Sequence, residues 1–276
     1  MSNAVLTLVA TPIGNLGDMA PRATEALEAA DLIACEDTRR TGALLQHLGI
    51  SKRPLVIANE HTEFEATDRI LSTLRNNASV ALVSDAGMPA ISDPGQRIVS
   101  AVADAGFAVT VVPGASAVLA AVAMSGLATD RFCFEGFLPR KGPERKSRIA
   151  MLITEQRTSV LFEAPHRLLR TVSDLASEMA PNRRIVVIRE LTKRFEQTQR
   201  LTLGTAVELL SQNEPRGEYV LVLQGASPVA AADEDTLREA LRSELAAGQT
   251  RRSAVDHVVA VYGASKRTVY ELALEL

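Results

Sequence analysis

The chain has 276 residues, of which 46% are hydrophobic and 23% are charged, and its formal net charge is −3. These values are typical of a folded globular protein of about two domains and argue against disorder. Apolar runs are too short for a transmembrane helix, and residues 1–8 do not have the pattern of a secretion signal. Cys35 and Cys133 match no metal-binding spacing, so we expect a reducing, cytoplasmic environment and no metal site.

Charge is distributed unevenly along the chain. Residues 1–130 carry 8 basic and 14 acidic side chains, whereas residues 131–200 carry 15 basic and 8 acidic ones. The remaining two segments, 201–232 and 233–276, each have a net charge of −2. A basic middle segment in an acidic protein indicates either a surface that meets an anion or a solvated face rich in lysine and arginine.

The first 125 residues alternate short β-branched runs with helical patterns. Strands that alternate with helices form covered, mostly parallel sheets, so the pattern predicts an α/β domain over residues 1–125. The predicted strands are Val5–Ala10, Leu32–Cys35, Leu55–Ala58, Ser79–Val83 and Phe107–Val112. The predicted helices are Pro21–Ala30, Gly42–Leu48, Glu63–Arg75, Gln96–Ala105 and one that Ser116 caps and that ends at Met124.

A second α/β domain is predicted over residues 126–225. Its strands are Phe132–Phe137, Ser159–Glu163, Arg184–Arg189, Gln199–Leu203 and Tyr219–Gln224, and its helices are Pro143–Glu155 and Pro165–Met179. Residues 226–235 are small and then acidic, which is typical of a linker.

Residues 236–276 are predicted to form a helical module that resembles a helix-turn-helix. Within it, Val255, Val258, Val259 and Tyr262 form an apolar stripe, Gly263 ends that helix, and Ser265 can cap the next one. A general interaction module, docking to an RNA, and sequence-specific DNA binding all remain open. The net negative charge argues against DNA.

The ligand site is expected beyond the carboxyl ends of the parallel strands, because open α/β sheets bind their ligands there. Gly14 and Gly17 in the first loop form neither a dinucleotide fingerprint nor a P-loop. They either let the backbone come close to a ligand or simply form a tight turn. The twelve-residue loop 84–95 is harder to explain as a surface loop, because ordering it costs entropy and buries little apolar area. Asp85 at its start could cap the turn or face a cation. Such acidic loops suit a cofactor with an amino group and a sulfonium better than a polyphosphate.

Six motifs in order along the chain carry a resemblance to a known family: ATPIGNLGD, ACEDTRRTGALL, VSDAGMPAISDPG, VPGASAVLAA, GFLPRKG and FEAPHRL. They resemble the ribosomal RNA small subunit methyltransferase I family, the 16S rRNA cytidine-2′-O-methyltransferase branch of the tetrapyrrole (corrin/porphyrin) methylase superfamily. The resemblance runs from about Leu8 to Gln224. It implies two α/β domains with S-adenosylmethionine bound in the cleft between them. It also implies a homodimer that methylates a cytidine ribose in the decoding region of 16S rRNA on the small ribosomal subunit.

The resemblance also implies which residues bind the cofactor. They come from the first, fourth and fifth loops of the first domain and from two strands of the second. The residues are Pro12, Leu16, Asp85, Gly87, Met88, Ser116, Ala117, Phe162, Glu163, Ala164 and Tyr219.

Methyl transfer to a ribose hydroxyl is a displacement that depends mainly on positioning, although a base or a cation can assist because the hydroxyl is a weak acid. The chemistry offers Glu36, Asp37, Glu163 and His166 as bases and Arg39 as a stabilising cation, and we favour Asp37, Arg39 and Glu163. Asp37 and Arg39 could instead pair with each other, and His166 could instead cap a helix.

Basic residues of the second domain are candidates for contacts with RNA phosphates. They are Arg140, Lys141, Arg145, Lys146, Lys193 and Arg194. Aromatic residues make up 4% of the chain and none is Trp, so binding should be mainly electrostatic. Two alternatives remain: a methyltransferase acting on a tetrapyrrole, against which the basic segment and the tail argue, and a non-catalytic RNA-binding protein, against which the intact loops argue.

Overall fold

The computed structural model describes residues 4–212, 214–227, 233–262 and 264–276. The described residues form two compact units. The first contains the chain up to Ile153 together with Arg157–Gln224, and the second contains Thr154–Gln156 together with Gly225–Leu276. None of the helices in these ranges has both the length and the apolar character that crossing a bilayer requires.

The amino-terminal half of the first unit is a parallel sheet covered by helices, which confirms the α/β prediction. Its strand order is β3-β2-β4-β1-β5, and every pair in it is parallel. The strands are β1 Val5–Val9, β2 Leu32–Cys35, β3 Leu55–Ile57, β4 Val80–Leu82 and β5 Ala108–Val112. The helices are α1 Pro21–Ala29, α2 Thr38–His47, α3 Glu63–Arg75, α4 Gln96–Asp104 and α5 Ala117–Ser125.

Two helix starts in this half are set by side-chain caps. The predicted second helix began at Gly42, but α2 begins at Thr38, because the Asp37 carboxylate accepts a hydrogen bond from the Arg39 backbone N–H at 2.8 Å. Ser116 caps α5 as predicted and accepts from the Leu119 N–H at 3.4 Å.

The second half of this unit is built on a mixed sheet of order β6-β7-β10-β8-β9. Within the described residues only β6 and β7 are parallel, and the other neighbours are antiparallel. The strands are β6 Phe132–Phe137, β7 Thr158–Glu163, β8 Arg184–Arg189, β9 Gln197–Thr202 and β10 Tyr219–Leu223. The helices are α6 Pro143–Thr154, α7 Pro165–Glu178 and α8 Leu203–Gln212.

Helix α8 corrects the predicted strand Gln199–Leu203. Leu203 does not end a strand but begins this helix, and its side chain is buried with those of Ala206 and Leu210. Thr202 and Thr205 start the helix by exchanging side-chain and backbone hydrogen bonds at 2.9 and 3.3 Å.

Both faces of the second sheet are buried. Helices α6, α7 and α8 cover one face. The other face packs against α5, whose Val118, Ala121 and Val122 contact strand residues such as Val160 and Val220. Helix α5 is apolar on all sides. It therefore joins the two halves and brings its own first residues to the boundary between them.

The second unit consists of α9 Glu234–Ala246, α10 Arg251–Tyr262 and α11 Lys266–Leu274 around one apolar core. The predicted stripe is confirmed, since Val255 and Val258 are buried there. The tail helix begins earlier than predicted, because the Asp233 carboxylate caps α9 by accepting from the Thr236 N–H at 2.8 Å. Gly263 and residues 228–232 of the predicted linker lie outside the described residues.

Candidate functional site

A cavity of about 390 Å³ opens where the carboxyl edge of the first sheet meets the second sheet. This volume lies in the range of small-molecule sites. The loops after β1, β4 and β5 form one wall, and β6, β7, β10 and the start of α7 contribute to the other. Strands β1 and β4 are neighbours from which the chain leaves in opposite directions, so the cavity lies at the topological switch point of the sheet.

Most residues predicted to bind a cofactor come together here. Pro12 and Asp85 do not line the cavity, although the residues that follow them, Ile13 and Ala86, do. Leu16 lies in a short 3₁₀ turn at Leu16–Asp18, outside the lining. The predicted residues that line the cavity are Gly87, Met88, Ser116, Ala117, Phe162, Glu163, Ala164 and Tyr219.

The loop after β4 is anchored through its backbone. Thr11 and Gly87 exchange N–H···O bonds of 2.9 and 3.1 Å, which joins this loop to the one after β1. Gly87 has φ +81°, and a Cβ at this position would lie 3.2 Å from a methyl carbon of Ile13. Further on, the Gly95 N–H donates to the buried Glu63 carboxylate at 2.9 Å.

Two residues of the same loop, Ala90 and Ser92, hold φ angles of +69° and +61°. Such angles are unfavourable for side chains other than glycine and persist only where the surroundings enforce them. The loop is therefore a fixed wall rather than a free surface loop.

Asp93 is a cavity residue that the sequence analysis did not single out. Burial, aided by the nearby Glu36 and Asp85 carboxylates, raises the pKa of Asp93 to about 6, against an opposing hydrogen bond with Ser84. Burial and Asp85 likewise raise the pKa of Glu36. One Asp85 oxygen lies 3.3 Å from Arg40 Nε, and the other is buried without a hydrogen-bond partner among the described residues. The only signal for Asp93 in the sequence was a second aspartate in one loop.

Glu163 is buried in the wall and is engaged by several donors. Its Oε1 accepts from the Ala164 N–H at 2.9 Å and lies 3.3 Å from Arg167 Nε. Its Oε2 accepts from the Thr171 hydroxyl at 2.5 Å. This carboxylate therefore fixes the junction of β7 and α7.

The other predicted catalytic residues lie outside the cavity lining. Asp37 and Arg39 pair with each other at 2.7 Å, which is the alternative that the sequence left open. The hydrogen bonds from Arg39 lower the pKa of Asp37 to about 2. His166 is exposed, and the N-cap of α7 is Ala164, so the idea that His166 caps this helix is wrong.

Arg145 corrects the predicted set of phosphate contacts, because it is only 4% exposed. Its guanidinium donates to the Asp174 carboxylate at 2.7 Å, to the Pro139 carbonyl at 3.1 Å and to the Thr171 hydroxyl at 3.0 Å. It therefore ties the loop that follows β6 to α7 and cannot reach a bound phosphate.

The remaining predicted cations lie in different surroundings. Arg140, Lys141 and Lys146 are exposed, and none of them forms an ion pair within the described part of the chain. Lys193 is paired with Glu190 at 3.0 Å and with Glu218 at 2.9 Å. Arg194 is exposed and lies over the ring of Phe195.

The fold and this cavity define a class of enzymes. Residues 5–207 match the family described as Tetrapyrrole (Corrin/Porphyrin) Methylases. Uroporphyrin-III-C-methyltransferase from Thermus thermophilus superposes with a TM-score of 0.57 at 19% identity, covering 80% of this chain and 94% of that one. Diphthine synthase superposes with a TM-score of 0.59 at 18% identity, covering 85% and 95%. These structures share the fold, and the chain is a member of the tetrapyrrole methylase class.

Curated relatives give the particular family. Ribosomal RNA small subunit methyltransferase I of Synechocystis sp. is 48% identical over 274 residues, which are 99% of this chain and 98% of the relative. The protein of that name from Escherichia coli O157:H7 is 40% identical over 278 residues, covering 99% and 96%. The chain therefore belongs to the ribosomal RNA small subunit methyltransferase I family, and the resemblance seen in its motifs is confirmed.

Proposed function

We propose that this protein uses S-adenosylmethionine to methylate the ribose 2′-oxygen of a cytidine in the decoding region of 16S rRNA, on the small ribosomal subunit. The observation that carries the proposal is the cavity at the switch point, to which both halves of the unit contribute residues. Full-length relatives named for action on small-subunit ribosomal RNA support the choice of substrate. Assembly as a homodimer in the cytoplasm is part of the proposal.

The lining of the cavity fits this cofactor. Apolar side chains such as Met88 and Phe162 suit a planar adenine ring, and Gly87 lets the backbone approach closely. The acidic side chain of Asp93 suits a cation and would repel a polyphosphate. When bound, S-adenosylmethionine supplies a methyl group on a positively charged sulfur.

Residues of this chain contribute positioning and proton transfer. The anchored loop after β4 holds its side chains in one place, which serves a displacement that depends on alignment. Asp93 is the proposed acceptor of the hydroxyl proton, because this residue lines the cavity and, with a pKa of about 6, is largely ionised at neutral pH. Asp37 and Glu163 are less suited, since each carboxylate is paired with an arginine, at 2.7 Å from Arg39 and at 3.3 Å from Arg167.

The first experiment measures transfer of a labelled methyl group to small subunits that lack the modification. Free 16S rRNA and uroporphyrinogen serve as alternative acceptors, and the product nucleoside is identified by mass. We expect 2′-O-methylcytidine. A methyl on the base, or transfer to the tetrapyrrole alone, would refute the proposal. Calorimetry that detects no S-adenosylmethionine binding would instead indicate a non-catalytic RNA-binding protein.

A second experiment tests the basic surface. Reversing the charge of Arg140, Lys141 and Lys146 should weaken RNA binding. The slope of the logarithm of the binding constant against the logarithm of the salt concentration should become shallower by about 0.7 to 0.9 for each phosphate that the protein no longer neutralises. Binding of the cofactor should stay unchanged, because none of the three lines the cavity. The matched control reverses three exposed arginines of α1 and α3, namely Arg22, Arg69 and Arg75. Equal losses in both triple variants would contradict a localised RNA surface.

A further inference from the structure

Phe137 is an aromatic ring that lines the cavity and yet remains 54% exposed. The chain has 7 Phe, 3 Tyr and no Trp, so an exposed ring at this place is unusual for its composition. The ring stacks edge-on against Phe162, with centroids 5.7 Å apart. The Phe162 ring in turn lies edge-on to the Phe134 ring, with centroids 5.0 Å apart, so the exposed ring rests on two half-buried aromatic side chains.

A β-bulge puts this ring on the cavity side of the sheet. Phe134 pairs with Val160 and Phe137 with Phe162, but the register shifts between Phe134 and Gly136. In a regular strand, residues three apart point to opposite faces, whereas one extra residue returns them to the same face. The bulge therefore directs both phenylalanines to the face that carries Phe162.

The opposite side of the opening is also apolar. Ile91, on the loop after β4, lines the cavity and is 51% exposed. The two sides approach closely at Gly136, where a Cβ would lie 3.3 Å from the Ser92 hydroxyl. Phe137 and Ile91 are therefore two exposed apolar side chains of the lining, on neighbouring segments that a flat ligand could contact.

Cations follow Phe137 directly along the chain. Leu138 is buried, and Arg140 and Lys141 after it are exposed without ion pairs among the described residues. The position of this segment is fixed, because Arg167 donates to the Leu138 carbonyl at 2.5 Å and Arg145 to the Pro139 carbonyl at 3.1 Å. An apolar ring followed along the chain by exposed positive charges is complementary to a nucleobase that is joined to phosphates.

We propose that Phe137 is the platform on which the base of the target nucleotide stacks, with Arg140 and Lys141 holding the adjoining phosphates. This rests on the proposed function and adds a substrate-positioning residue to it. Sequence-specific RNA recognition uses unstacked bases on aromatic side chains, which every base can contact through its π-face. Stacking here would keep the ribose of the target nucleotide beside the cavity.

The absence of Trp allows a direct test. Phe137→Trp introduces a single tryptophan, whose fluorescence should be quenched on titration with a short cytidine-containing RNA oligonucleotide. The matched control is Phe64→Trp on α3, at a side chain that is 80% exposed and does not line the cavity. Quenching at position 137 alone is the expected result. Equal quenching at both positions, or none at 137, overturns the inference.

Kinetics separate stacking from simple apolar contact. Phe137→Ala should raise the KM for small subunits by roughly 5- to 150-fold, and Phe137→Tyr should restore it. Phe137→Leu keeps an apolar side chain without a ring and should behave like Phe137→Ala. If Leu restores the KM, or if S-adenosylmethionine affinity falls as much as RNA affinity, the platform is refuted while the methyltransferase proposal stands. If the wild type transfers no methyl group, the methyltransferase proposal fails, and the fluorescence titration still decides the platform.

Discussion

The two sheets of the first unit build the cavity in different ways. The parallel sheet contributes loops that backbone hydrogen bonds fix, such as the Thr11–Gly87 bridge. The mixed sheet contributes side chains on its strands, such as Phe162, and a buried polar network centred on Glu163 supports them. The first wall, formed by the loops of the parallel sheet, thus depends on backbone conformation. The second wall, formed by the mixed sheet, depends on side-chain contacts.

This difference follows from strand direction. All strands of a parallel sheet end at one edge, so their loops gather there and meet the ligand. Antiparallel neighbours end at alternate edges, so their loops are divided and the face of the sheet becomes the wall. We therefore expect truncated side chains to destabilise the second wall most. A Cβ added at a glycine should instead distort the first wall.

The largest effect is expected from Arg145→Met. This variant removes the hydrogen bonds of the guanidinium to Asp174, Thr171 and Pro139, and it should lower the free energy of unfolding by about 2–4 kcal/mol in urea titrations. The matched control is Arg170→Met, because Arg170 lies 3.9 Å from the same Asp174 but is 62% exposed. The control should change stability by less than about 0.5 kcal/mol. Equal losses would contradict a supporting role for the buried network.

Gly87→Ala tests the first wall. Residue 87 has φ +81° and a new Cβ would press on Ile13, so we expect a loss of about 1–2 kcal/mol in stability and weaker S-adenosylmethionine binding in calorimetry. Gly42→Ala is the control, since Gly42 lies in α2 with no atom near a new Cβ. That substitution should instead stabilise the protein by about 0.5–1 kcal/mol. A neutral Gly87→Ala would show that this wall is not set by its backbone.

Much of the first wall could be predicted from the sequence. Helix α3 has the predicted bounds, and the loops after β1, β4 and β5 were expected to meet a ligand. Alternation of strands and helices determines which loops share an edge, so local patterns were sufficient. Asp93 was missed because its raised pKa depends on burial and on Glu36 and Asp85, whose proximity is tertiary.

The second wall was harder to predict. The place of Phe137 depends on a bulge in the pairing of β6 with β7, and no residue pattern indicated that bulge. Arg145 was wrongly grouped with its exposed neighbours, although a signal existed. Arg145, Ile149 and Leu152 recur at helical spacing and form the buried face of α6. A charged residue on an apolar stripe indicates that its charge is paired with another side chain, and the partner of Arg145 is Asp174.

Asp93→Asn tests the acidic part of the first wall through pH. The pKa of Asp93 is raised from 3.8 to about 6 in the folded protein. The folded state therefore binds this proton more tightly than the unfolded state does, and wild-type stability should fall as pH rises from about 4 to about 6. Asp93→Asn should lack this fall and be more stable at pH 7 by about 1–2 kcal/mol, after allowance for solvent screening. Urea titrations from pH 4 to pH 8 measure the difference.

The same variant has a kinetic readout. If Asp93 accepts the hydroxyl proton, Asp93→Asn should lower kcat and abolish the rise of kcat/KM with an apparent pKa near 6, while S-adenosylmethionine still binds. Exposed Asp104→Asn, at the end of α4, is the control and should keep the wild-type pH profile. If Asp93→Asn gains stability without losing activity, Asp93 lines the cavity but does not accept the hydroxyl proton.

Ser116→Ala, at the start of the helix that joins the two walls, should have the smallest effect. The Ser116 hydroxyl accepts from the Leu119 N–H at 3.4 Å, a long hydrogen bond, so its loss should lower stability by only about 0.5–1 kcal/mol. Ser116→Asp keeps an acceptor at the helix N-terminus and adds a favourable charge there, so it should restore stability in the same urea titration. A loss well above this range would mean that Ser116 holds more than its own helix, and a failure of Asp to restore stability would point to packing against the second sheet.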